Sequence, residues 1–261
     1  MAYDFTTFIG VEAGPNRTHP FTFAVIDREL VIRSLGSGNI RDAFSFLAGQ
    51  VDALAAINSP MTTSQSLLKR EEIRNTLHPG SPLSRWANLR LVEYELLQRG
   101  IHAPRAGTSR KGSPRWMRMG FQLFEEIHKL GYQAYPQPAS PKQYFECQGE
   151  AVFWNLLGHS PLKKDTLEGC LQRQLVLGMC GLPVPDPMLF FEEITRHRLL
   201  NNRLPMEHLY SSVELNALAA AYTAWLAASQ PQKLLKLGHE AEGFIYLPDQ
   251  SVQEMQHAPS A

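Results

Sequence analysis

The stretch Phe5-Thr-Thr-Phe-Ile-Gly-Val-Glu-Ala-Gly14 decides the fold of this 261-residue chain. It is a run of β-forming residues that leads to a single carboxylate, Glu12, and the following Gly14-Pro15 turns the backbone away. This pattern predicts a central strand with an acid near its carboxyl end. Open α/β sheets bind their ligands at that edge, so Glu12 is the first candidate site residue.

The segments that follow predict the rest of a sheet. Residues 21–26 and 30–33 are rich in β-forming side chains and are joined by a short connection, so they form an antiparallel meander with the first strand. Residues 40–47 have apolar positions at helical spacing, with Asn39 as the N-cap. Residues 53–57 are continuously apolar, as in a buried parallel strand. The β-β-β-α-β order predicts an α/β fold with a central mixed sheet flanked by helices.

The remaining chain predicts mostly helices, with two further short strands. We expect one domain over residues 1–261, with a helical insertion at about 60–130 between the fourth and fifth strands and a loose tail at about 250–261. The predicted strands cover residues 131–136 and 243–248. Residues 62–100 are predicted to be helical with polar interruptions, and the other predicted helices cover residues 116–130, 151–157, 162–180, 190–200 and 214–229.

Composition excludes several classes of protein. Lys plus Arg equals Asp plus Glu, so no global field attracts nucleic acid or a membrane. The chain has three widely spaced cysteines, Cys147, Cys170 and Cys180, and no two of them form a C-x-x-C pair. This spacing argues against a disulfide framework or a structural zinc. The start of the chain lacks the features of a signal peptide, and no apolar run is long enough to cross a bilayer. We expect a cytoplasmic protein without a membrane partner; the oligomeric state stays open.

Basic side chains offer candidate contacts to phosphate. Residues 105–118 contain five basic residues and no acid, with Trp116 available to stack on a base. A glycine- and serine-containing basic loop is also commonly just solvated, and the helical arginines equally fit a solvated face or a structural ion pair. The candidate phosphate contacts are Arg70, Arg74, Arg110, Lys111, Arg115 and Arg173.

The chain resembles domain-of-unknown-function family 429, whose members are predicted nucleases of ribonuclease H-like fold. The resemblance spans nearly the whole chain, in the order of the family. The stretches that carry it are Ile9-Gly-Val-Glu12, Ala56-Ile-Asn-Ser-Pro60, Lys69-Arg70 with Arg74, Arg99-Gly-Ile101, Trp116 with Gly120, Tyr135-Pro136, the segment from Ala217 to Leu226, and Glu242-Gly-Phe-Ile-Tyr-Leu-Pro248. The resemblance implies a ribonuclease H-like fold and Mg²⁺- or Mn²⁺-dependent hydrolysis of nucleic acid.

The departures from the family concern its acidic site. The family pattern has carboxylates at four positions, and the resemblance places Glu12, Asn58, Gln133 and Asn216 there. Three of these four side chains are amides. Asn58 also fits a strand-ending turn, and Asn216 fits a helix N-cap.

Two-metal cleavage of a phosphodiester needs several carboxylates at one place, because two cations about 4 Å apart repel each other strongly. One carboxylate with three amides is a weak set of ligands, unless Glu214 or Glu240 joins Glu12 as a metal ligand. Three hypotheses follow. The chain is a metal-dependent nuclease or phosphoesterase with weakened or lost catalysis, a non-catalytic nucleic-acid or nucleotide binder, or a protein-interaction or small-molecule-binding module.

Overall fold

The structure is a computed structural model that describes residues 3–14, 17–18, 20–77, 83–249, 251–252 and 254. The predicted turn at Pro15, residues 78–82 of the predicted helical insertion and most of the predicted tail lie outside the described residues. Among the described residues of this tail, Val252 is buried.

One mixed sheet runs through the described part of the chain. Its strands are β1 (Thr7–Ala13), β2 (Phe21–Ile26), β3 (Ile32–Gly38), β4 (Ala53–Asn58), β5 (Gln133–Ala134), β6 (Lys142–Cys147), β7 (Leu234–His239) and β8 (Gly243–Pro248). Their order is β3-β2-β1-β4-β6-β8-β7, and the short β5 also pairs with β6. The first three strands form the predicted antiparallel meander, while β4 is parallel to β1 and β6 is parallel to β4.

Helices cover both faces of this sheet. They are α1 (Ile40–Ala48), α2 (Glu71–Leu77), α3 (Leu91–Gln98), α4 (Arg115–Ile127), α5 (Gly149–Leu157), α6 (Leu167–Met179), α7 (Leu189–Glu192), α8 (Arg196–Leu200) and α9 (Ser212–Ser229). The predicted α/β class with a mixed central sheet and flanking helices is confirmed. No described helix is both long enough and apolar enough to cross a membrane.

The two faces of the sheet carry separate hydrophobic cores. On one face α5, α6 and α9 pack together, and on the other α1 and α4 do. The alanines of α9 allow this helix to lie very close to β1. A β-carbon added to Gly10 would lie 1.8 Å from the carbonyl oxygen of Ala217, so this position needs a glycine. The close approach of α9 brings the start of that helix next to the carboxyl end of β1.

Several predicted boundaries are wrong. The helix predicted at 190–200 is interrupted between α7 and α8. The strands β6 and β7 were missed. Residues 142–147 include Lys142, Gln143 and Glu146, whose polarity hides a strand that is almost entirely buried. β3 begins at Ile32 rather than residue 30, because Leu30 takes a left-handed conformation in the preceding turn.

Candidate functional site

Glu12 is the centre of a buried polar cluster at the carboxyl edge of the sheet. The parallel register of β1 and β4 places Glu12 directly beside Asn58. The amide nitrogen of Asn58 donates a hydrogen bond to one oxygen of Glu12. The amide nitrogen of Asn216, in the second turn of α9, donates to the other carboxylate oxygen at 3.2 Å. Both oxygens of Glu12 are therefore engaged by amide donors.

The first turn of α5 fixes the orientation of the Asn58 amide. The backbone N–H of Gly149 donates to the Asn58 side-chain oxygen at 2.9 Å, so the nitrogen of that amide must face Glu12. Gly149 has no room for a side chain, because an added β-carbon would lie 2.8 Å from the Asn58 nitrogen and 3.0 Å from the Asn216 oxygen. The Asn216 oxygen is itself buried and has no hydrogen-bond partner among the described residues.

Burial changes the acidity of Glu12. Removal from water raises the pKa of this carboxyl from its usual 4.5 to about 7. The hydrogen bond from Asn216, the positive charge of Lys164 and the hydrogen bond from Asn58 all oppose that rise without cancelling it. The carboxyl therefore exchanges a proton near neutral pH.

Glu12 lies on the floor of a cleft of about 580 Å³. This volume is in the usual range for small-ligand sites. Three parts of the chain surround the cleft. The floor comes from the carboxyl ends of the strands and the starts of α5 and α9, one side from residues 102–117, and another from residues 163–165 between α5 and α6. The cations and carboxylates that line it, besides Glu12, are Arg105, Lys163, Lys164, Glu150 and Asp165, together with His102.

The charges of the cleft favour an anion. Glu150 is already paired with the buried Arg173, whose guanidinium nitrogen donates to both carboxylate oxygens at 2.9 and 3.1 Å. Asp165 accepts a hydrogen bond from Ser212 at 3.0 Å. Lys163 and Lys164 have no ion-pair partner among the described residues, although both line the cleft. Neither lysine is among the sequence-predicted site residues, because the sequence pattern predicts a helix over 162–180 whereas α6 begins only at Leu167.

Arg173 is not the phosphate contact that was predicted from the sequence. Its side chain is completely buried, and it also donates to the carbonyl oxygens of Leu162 at 2.7 Å and Gly169 at 3.1 Å. The guanidinium lies over the ring of Phe153. Arg173 thus anchors the loop that carries Lys163 and Lys164, which is a structural role.

The basic loop contributes to the cleft through only part of its length. Trp116 lines the cleft, and Arg105 does so with its guanidinium stacked over the ring of Trp86. Arg110 pairs instead with Glu125 on α4. Arg115 donates to the carbonyl oxygen of Arg17 at 3.4 Å. The exposed Lys111, Arg70 and Arg74 also do not line the cleft.

Three predicted site residues lie outside the Glu12 cluster. Gln133 pairs in register with Gln143, whereas Asn58 pairs with Cys147, four residues later on the same strand. Gln133 therefore lies about 13 Å from Asn58 along the strand direction. Glu214 accepts hydrogen bonds from the backbone and hydroxyl of Ser211 in the capping box of α9, at 2.8 and 2.6 Å. Glu240 is exposed in the turn between β7 and β8 and does not line the cleft.

Glu146, which is not among the sequence-predicted site residues, lies on β6, the strand next to β4. Glu146 pairs in register with Ile57, so the alternation of the strand turns it to the face opposite Glu12. There it forms a fork with the buried Arg90, both N–O distances being 2.7 Å, and accepts a bond from the backbone N–H of Met61. Glu146 is fully engaged and cannot substitute for the missing acids beside Glu12.

The donor set around Glu12 does not fit a two-metal centre. Two divalent cations need several converging carboxylates, whereas here each oxygen of the central carboxylate faces an amide N–H. Within the described residues, the one trio of His, Cys, Asp or Glu whose ligand atoms all lie within 4.8 Å of one another is Glu193, Glu207 and His208. None of the three lines the cleft, and Arg198 already pairs with both glutamates.

Comparison of the chain with protein-family models, with curated proteins and with solved structures finds no match in any of the three.

Proposed function

We propose that the Glu12 cleft binds a phosphate-bearing ligand, either a nucleotide or a nucleic-acid strand, without cleaving it by metal chemistry. The observation that carries this proposal is that one cleft contains both Glu12, whose two oxygens accept hydrogen bonds from amides, and two lysines without an ion-pair partner among the described residues, Lys163 and Lys164. Arg105 adds a third cation, and Trp116 offers an aromatic surface for a base.

The fold we propose for this function is ribonuclease H-like, as in family 429. Support comes from the order β3-β2-β1-β4-β6, in which an antiparallel meander is followed by two parallel strands. Glu12 and Asn58 then occupy neighbouring positions at the edge where such sheets bind ligands. An acidic site in which amides replace carboxylates would keep the cleft and lose the repulsion that carboxylates exert on phosphate.

Two other functions compete with this proposal. A metal-dependent nuclease or phosphoesterase would bind Mg²⁺ or Mn²⁺ at Glu12, which calorimetry with these ions tests directly. A protein-interaction or small-molecule-binding module would show no salt-dependent affinity for nucleotides or nucleic acid, because that dependence comes from neutralised phosphates.

The decisive experiment measures binding of a labelled oligonucleotide by fluorescence anisotropy and of a mononucleotide by calorimetry, at low and raised salt. We expect the Lys163→Ala/Lys164→Ala double variant to weaken binding about tenfold or more and to reduce the salt slope by about one to two. Arg41→Ala, which removes an exposed cation outside the cleft, should leave the affinity unchanged. Binding that survives in the double variant but is lost in Lys111→Ala would move the site to the exposed basic loop. Absence of binding in the wild-type protein would overturn the proposal.

A further inference from the structure

A lobe formed by residues 185–210 projects between α6 and α9. It contains α7 and α8, and the side chain of Gln174 on α6 holds both of its ends. The Gln174 nitrogen donates to the carbonyl oxygens of Pro185 and His208, each at 2.7 Å, and its oxygen accepts from the backbone N–H of Tyr210 at 2.8 Å. Phe190 on α7 is completely buried. The lobe is thus attached firmly at its base.

Ion pairs connect the parts of the lobe with one another. Arg198 on α8 pairs with Glu193 at 3.0 Å and with Glu207 at 3.2 Å. His208 lies 2.8 Å from the other oxygen of Glu193. These contacts connect the end of α7, the helix α8 and the following turn.

The outer surface is unusually apolar. Among the described residues, nine of the thirteen exposed large hydrophobic side chains belong to the lobe or to the adjoining exposed positions of α6. They are Leu175, Met179, Met188, Leu189, Phe191, Leu199, Leu200, Leu204 and Met206, with exposed fractions between 37% and 78%. Scattered exposed apolar residues are ordinary, whereas nine within residues 175–206 are a concentration that an interaction surface would explain.

The charges around these side chains select the kind of partner. The lobe carries Asp186, Glu192, Glu193 and Glu207 against Arg196, Arg198 and Arg203, so it has no excess of basic residues. A nucleic acid or an anionic membrane surface requires such an excess. Arg196, Arg203 and Glu192 are exposed and have no ion-pair partner among the described residues. A protein surface with an apolar centre and charges of both signs fits this rim.

We propose that the lobe is a self-association surface through which two copies of this chain form a two-fold dimer. A two-fold axis places the same patch on both sides, so apolar centres meet and the free cations Arg196 and Arg203 of one copy can approach the free Glu192 of the other. Nine side chains with about half of their surface open match the roughly 800 Å² per partner that a stable interface buries. The proposal is independent of what the Glu12 cleft binds.

Sedimentation velocity and light scattering at micromolar concentrations test the proposal. We expect the wild-type protein to have twice the mass of the chain. Leu200→Glu and Phe191→Glu, at side chains 78% and 51% exposed, should weaken association roughly thirtyfold or more, since each charge enters the interface twice. Val51→Glu is the matched control, because Val51 is 67% exposed and lies outside the lobe. Circular dichroism and thermal unfolding verify that each variant is folded.

A monomeric wild-type protein over the whole concentration range would overturn the proposal. The proposal would also be overturned if the Leu200→Glu and Phe191→Glu variants were both folded and both still dimeric. Flotation with neutral and with anionic vesicles covers the lipid alternative, and vesicle binding lost in Leu200→Glu without any dimer would assign the lobe to membranes instead.

Discussion

The amide of Asn58 donates a hydrogen bond to the carboxylate of Glu12 across two parallel strands, and the backbone of Gly149 prevents that amide from turning round. The position beside the central acid is therefore occupied by a fixed donor rather than by a second acceptor for a cation. This relationship determines what happens when the amides of the cleft floor are changed.

The first prediction concerns the dependence of stability on pH. The pKa of Glu12 is raised in the folded protein, from 4.5 to about 7, so the native state holds a proton that the unfolded chain releases. The contribution of Glu12 to stability is complete below about pH 4.5 and is lost as the pH rises through about 7. We expect Glu12→Gln to abolish a loss of about 2–3 kcal/mol between pH 5 and pH 8, measured by urea unfolding.

The glutamine introduced by Glu12→Gln would fit because Asn216 can turn its amide to offer the oxygen that now has no partner, while Asn58 keeps its orientation. Glu125→Gln, at an exposed position, is the control and should leave the pH profile unchanged. A wild-type stability that does not fall over this interval would contradict a buried, proton-exchanging Glu12.

The second prediction restores the missing acids. The double variant Asn58→Asp/Asn216→Asp puts three carboxylates at one place, which the wild-type sequence does not do. We expect it to be less stable than the wild-type protein without metal, and to gain both Mg²⁺ binding in calorimetry and a raised midpoint of thermal unfolding with Mg²⁺. Tight binding of two Mg²⁺ ions by the wild-type protein would show that the amides do not prevent a metal site.

The third prediction compares two arginines. Arg173→Leu should destabilise the protein by about 2–4 kcal/mol, because the carbonyl oxygens of Leu162 and Gly169 lose their buried donor and the loop that carries the cleft lysines is freed. Arg110→Leu removes an exposed ion pair and should change stability by less than about 1 kcal/mol. Chemical unfolding of the two variants distinguishes a structural Arg173 from one that is free to contact ligand. Equal effects would contradict the anchoring role.

The fourth prediction tests the close packing of α9 on β1. Gly10→Ala forces a β-carbon to within 2.4 Å of the backbone nitrogen of Ala221 and still closer to the Ala217 oxygen. Because backbone must move, we expect a loss of about 3 kcal/mol or more. Gly112→Ala has open space around it and should change stability by less than about 1 kcal/mol. A stable Gly10→Ala variant would mean that α9 lies further from the sheet.

The amino-terminal half of the sheet could be predicted because its residues follow simple patterns. β1 and β4 are apolar and buried on both faces, and the meander has short connections, so local signals and tertiary packing agree. Asn39 caps α1 with a complete capping box, as its position before the helix predicts. The pairing of Glu12 with Asn58 then follows from the parallel register.

The second half of the sheet could not be predicted because burial there is satisfied by long-range partners. The charge of Glu146 suggests a surface residue, but its side chain is buried because it pairs with Arg90, more than fifty positions earlier in the chain. The resemblance to family 429 places one acidic-site position at Gln133. The strand that contains Gln133 pairs with the amino-terminal part of β6, whereas the Glu12 cluster lies at the carboxyl end of the sheet. The role of Arg173 likewise depends on carbonyl groups and on Glu150, none of which a sequence window contains together.

The attachment of both ends of the lobe to one Gln174 amide has a consequence for how the chain can vary. The carbonyl groups of Pro185 and His208 accept hydrogen bonds from the same nitrogen atom, so the two ends of the segment between them lie side by side. Chain closure over such a gap depends only weakly on the number of residues in it. We therefore expect that shortening, extending or replacing this segment would leave the sheet and its cleft as they are.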